Sequence, residues 1–166
     1  MEKINLKKSF IFLITFILSH FVNAQSFNED KTAFANFIKR MYTASAFEGV
    51  KLVDDYNHQY LISVLSLEKA KYASNPSAMD RVAQIKAQSQ ANTFLNGATI
   101  SSDLIIKTTE KKSKDSTSVL VETIESIKQN AMGFTRGLEL LTNFDNVDGK
   151  RMIYVYMREM KKENKD

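Results

Sequence analysis

The chain has 166 residues, 23 Lys and Arg against 19 Asp and Glu, 43% hydrophobic residues, and neither Cys nor Trp. That length suits one domain, and the composition is that of a folded globular protein rather than a disordered one. The missing cysteines exclude disulfides, thiolate metal sites, a cysteine nucleophile and a lipid-modified N-terminal Cys.

Residues 1–24 read as a secretory signal. Lys3, Lys7 and Lys8 precede the apolar run Phe10–Leu18, and Val22-Asn23-Ala24 places small residues before Gln25, the charge, apolar and cleavage pattern of an exported protein. The run is too short for the roughly 20 residues that cross a bilayer, so no integral membrane segment is expected after cleavage. Removing three lysines and one glutamate leaves 20 basic and 18 acidic side chains, a net of +2. So small a charge gives little field for nucleic acid. The expected location is the periplasm or the cell exterior, with residues 25–160 as one domain and 161–166 as a flexible tail.

Within the mature chain, Phe34, Phe37, Ile38, Met41 and Tyr42 recur at three- and four-residue intervals, which predicts an amphipathic helix over 26–46, capped by Asn28 or Asp30 and ended at Gly49. Val50–Asp54 and Gln59–Leu67 read as a strand pair turning at 55–58. The second of these is uncharged and aliphatic, as a strand buried on both faces would be. Asn75, Pro76 and the row Met79, Ala83, Ala87, Ala91 and Phe94 predict a long helix that lies close against a sheet. Four strands are expected after it: 98–107, 117–128, 138–144 and 151–157. A polar loop at 111–116, a glycine-punctuated bend at 131–137 and an Asp148-Gly149 hairpin turn would join them. The resulting fold is α+β: an antiparallel four- to five-stranded meander with one long helix across a face, plus the N-terminal amphipathic helix.

Ala83–Gly97 (AQIKAQSQANTFLNG) and Gly137–Met157 (GLELLTNFDNVDGKRMIYVYM) resemble the bacterial LPP-type envelope lipoproteins and the N-terminal module of the flagellar T protein. The likeness spans about residues 60–157 and departs from the lipoproteins in lacking a cysteine at the cleavage site. It implies an envelope assembly or scaffolding module and carries no catalytic motif.

Chemistry is sparse in the residues themselves. Asp54, Asp55 and His58 form the one close carboxylate–imidazole cluster, able in principle to hold a divalent ion or serve a hydrolase, but Asp and Asn also favour turns for local backbone reasons. Ser101-Ser102-Asp103 lacks a nearby base, and 133–137 lacks the spacing of a phosphate loop. Lys111, Lys112 and Lys114 have no interleaved aromatic residue for nucleic acid. The leading expectation is a non-enzymatic, cofactor-free and metal-free module that binds an envelope protein or a second copy of itself. Its contact surface would be Phe34, Phe37 and Met41 on the helix, with Tyr154 and Tyr156 on the last strand. The alternatives are a small-molecule carrier with a pocket lined by Met79, Phe94, Ile153 or Met157, and a secreted hydrolase using the Asp54 cluster.

Overall fold

The structure, a computed structural model, describes residues 31–55, 58–97, 102–107 and 116–161. The expectations for the leader, for the caps at Asn28 and Asp30, and for Lys111, Lys112 and Lys114 lie outside these residues. The chain divides into two compact units, Met1–Ala44 and Ser45–Asp166.

In the first unit, 31–44 form helix α1, with Ile38 buried and Phe34, Phe37, Met41 and Tyr42 half-buried. The three- and four-residue spacing aligns them on one side of the helix. Thr43 donates its hydroxyl to the Lys39 carbonyl at 2.9 Å, one turn back. The helix stops at 44, short of Gly49, which instead opens the first strand with φ +109°. That backbone conformation is one that only glycine adopts without strain.

The second unit is α+β, with strands β1 (Gly49–Asp55), β2 (His58–Glu68), β3 (Ile105–Lys107), β4 (Glu139–Asp145) and β5 (Arg151–Glu159), ordered β3-β1-β2-β5-β4. β1 and β2 form the expected antiparallel pair, Leu52 opposite Leu61. β4 and β5 form the second, Phe144 opposite Ile153, with a bulge between Leu140 and Thr142. Asp148-Gly149 does turn this hairpin: Gly149 has φ +68°, its N–H donates to the Asn146 carbonyl, and the Asp148 carboxylate accepts from the Lys150 N–H at 2.9 Å.

The meander is corrected at its other edge. β3 runs parallel to β1, Leu52 beside Ile105, so the sheet is mixed. Physically, β2 reverses the direction of β1, and the helical connection after it reverses the chain again beside β1. β1 and β3, separated by a strand and a long helix rather than a tight turn, therefore run the same way. Of the strand expected over 98–107 only Ile105–Lys107 pairs. Ser102–Leu104 form a 3-10 turn, and 98–101 lie outside the described residues.

The long helix, α2 (Pro76–Gly97), forms as expected. The Asn75 side chain accepts from the Ala78 N–H at 3.1 Å, the geometry of an N-cap with proline at the first helical position. Met79, Ala83, Ala87, Ala91 and Leu95 are its buried row; Leu95 is the fully buried end of it, and Phe94, three residues after Ala91, is half-buried against the same core. Alanines bring the helix so near the sheet that the Ser63 hydroxyl donates to the Ala87 carbonyl at 3.2 Å. The amide of Gln90 likewise reaches the Val64 carbonyl.

The strand expected at 117–128 is instead helix α3 (Ser116–Lys128), and the expected bend at 131–137 is helix α4 (Ala131–Arg136). Leu120 and Ile124, four residues apart, are buried together with Thr123, whereas Val121 is exposed. That is a helical stripe, and it shares a core with α2, Leu61, Leu65 and Tyr154. Asn130 caps α4 by accepting from the Gly133 N–H at 3.2 Å. Three helices therefore contribute to this core where one was expected.

Strand side chains alternate between faces, and the two faces of this sheet differ. Leu61, Leu65, Leu67, Tyr154 and Tyr156 join the α2 core. Ile62, Val64, Ile153 and Val155 are also fully buried but point to the opposite face. The uncharged run of β2 is thus buried on both sides, as its composition predicted.

Candidate functional site

Three places carry the residues singled out by sequence. At the end of the β1–β2 hairpin, Asp55 faces His58 in register while Asp54 pairs with Gln59. The two aspartates therefore point to opposite faces, and the three residues do not converge on one point. The partner of His58 lies elsewhere in the chain: its Nδ1 is 2.8 Å from Glu159 Oε1, at the far end of β5. The imidazole also stacks on Tyr60, ring centroids 6.1 Å apart. Among the described residues no group of three or more His, Asp or Glu is placed to hold a metal ion. Glu159 carried no signal in the sequence, because a strand separated from His58 by 101 residues supplies it.

Tyr154 and Tyr156, expected on a contact face, lie beneath α2. They are 1% and 5% exposed, with rings near-parallel and centroids 6.5 Å apart. The Tyr154 hydroxyl donates to the Asp80 carboxylate at 2.7 Å, and the Tyr156 hydroxyl to the Asp80 carbonyl at 3.4 Å. Burial, then the Asp80 hydrogen bond and charge, push the Tyr154 phenol well above its ordinary range. Burial and the Asp80 charge raise that of Tyr156. Both phenols thus stay protonated at neutral pH, as donors that pin α2 to β5. The pairing of Asp80 with Tyr154 could have been sought in the sequence, since Asp80 adjoins the apolar row, but only the crossing of helix and strand reveals it.

At the same end of β5, one residue before Glu159, the Arg158 guanidinium lies over the Phe134 ring, 4.6 Å from its centre. It donates to the Gly133 carbonyl at 2.9 Å and to the Phe134 carbonyl. A cation on the last carbonyls of a short helix faces the negative end of its dipole, and the Phe134 carbonyl accepts from the Gly137 N–H as well, at 3.1 Å. Gly137 leaves room for this, since a Cβ there would strike the Arg158 guanidinium. These contacts hold elements in place and bring no nucleophile beside a base.

The remaining candidates are Phe34, Phe37 and Met41 of α1, half-buried along one side of that helix. They are bulky, apolar and regularly spaced, which suits them to receive a facing helix or strand rather than a reacting group. None of the helices of the described residues is long and apolar enough to cross a membrane. Comparison of the chain with protein-family models, with curated proteins and with solved structures finds no match.

Proposed function

We propose that this protein is an exported module of the bacterial cell envelope that works by holding another protein, through the apolar side of α1. The observation that carries the reading is the row Phe34, Phe37 and Met41, half-buried on one helix, the spacing with which an amphipathic helix anchors in a groove. The leader pattern of residues 1–24 supports the exported location. The likeness of Ala83–Gly97 and Gly137–Met157 to envelope lipoproteins and to the flagellar T module agrees with a scaffolding role. The two titratable clusters have structural employment: Asp80 with Tyr154 fastens helix to sheet, and His58 with Glu159 joins two strand ends.

The test is cross-linking and pull-down of the full chain from envelope fractions, alongside the double variant Phe37→Asp, Met41→Asp. A protein partner recovered with the unaltered chain and reduced at least about tenfold with the variant, at equal circular dichroism, supports the proposal; apolar anchors at a contact centre are worth about 2 kcal/mol or more each. Recovery of the chain alone, or equal recovery with both, overturns it.

A further inference from the structure

We draw no further inference here: the strongest candidate, the apolar face of the sheet turned away from α2 and formed by Ile62, Val64, Ile153 and Val155, carries nothing because nothing in the structure shows what covers it.

Discussion

Helices α2 and α3 contribute to the same core, yet their sequences advertise them differently. α2 announces itself with a capping asparagine, a proline at the first position and a buried residue every fourth place from Met79 to Leu95. α3 begins Ser116-Thr-Ser-Val-Leu-Val, rich in the β-branched residues that favour strands, and its Val119, Val121 and Thr123 alternate as a strand would. Over so few residues a period of two and a period of 3.6 fit the same letters. Leu120 and Ile124 decide the matter by being buried on one side of a helix. A helix with local start signals can thus be read from its own residues, whereas one whose propensities point elsewhere is held by the core that receives it.

The largest expected effect tests α3. Ile124→Ala should lower the unfolding free energy by about 3 kcal/mol, as loss of a fully buried aliphatic side chain does, with Val121→Ala costing about 0.5 kcal/mol or less. Urea unfolding of the two variants checks this, and equal losses would contradict a helical stripe through Leu120 and Ile124. In α2 the corresponding weakness is excess volume. Ala87→Leu should cost about 2 to 3 kcal/mol, because the Ser63 hydroxyl already meets the Ala87 carbonyl and the sheet cannot recede freely. Ile85→Leu, on the exposed side of the same helix, should leave the urea midpoint nearly unchanged.

A smaller effect separates packing from polar pinning. Tyr154→Phe removes the hydrogen bond to Asp80 and should cost about 1.5 kcal/mol. It also carries a pH signature. The folded phenol is raised above the ordinary value of 10.0, so its contribution is complete below about pH 10. It declines as the pH rises beyond that point, where the unfolded phenol ionises and the folded one does not. Thermal melts between pH 8 and 11 should therefore show a steeper alkaline decline for the unaltered chain than for the Phe variant; parallel declines would remove Tyr154 as the cause. The smallest effect is at the start of α2, where Asn75→Ala should cost about 1 kcal/mol through loss of the cap to Ala78, and Asn75→Ser should recover most of it.

How far the candidate surfaces could be read follows the same division. Phe34, Phe37 and Met41 share one side of α1 because three- and four-residue spacing needs no information beyond the helix itself. Tyr154 and Tyr156 alternate correctly with Ile153 and Val155, so their common face was legible. That α2 lies on that face was not, and their phenols face Asp80 rather than a partner. Asp54, Asp55 and His58 are adjacent in sequence, but alternation along the hairpin separates the two aspartates, and the imidazole takes its carboxylate from Glu159.

Local order settled the β1–β2 and β4–β5 hairpins, the extent and inner row of α2, and the α+β class, since turn chemistry, capping and side-chain period act within a few residues of one another. Tertiary structure decided the parallel entry of β3 beside β1, the helical state of 116–128 and 131–136, the bond from Asp80 to Tyr154 and the seat of Arg158 on α4. Each of these depends on groups brought together from distant parts of the chain. Their free energy becomes available only when the core closes, so no stretch of sequence carries it alone.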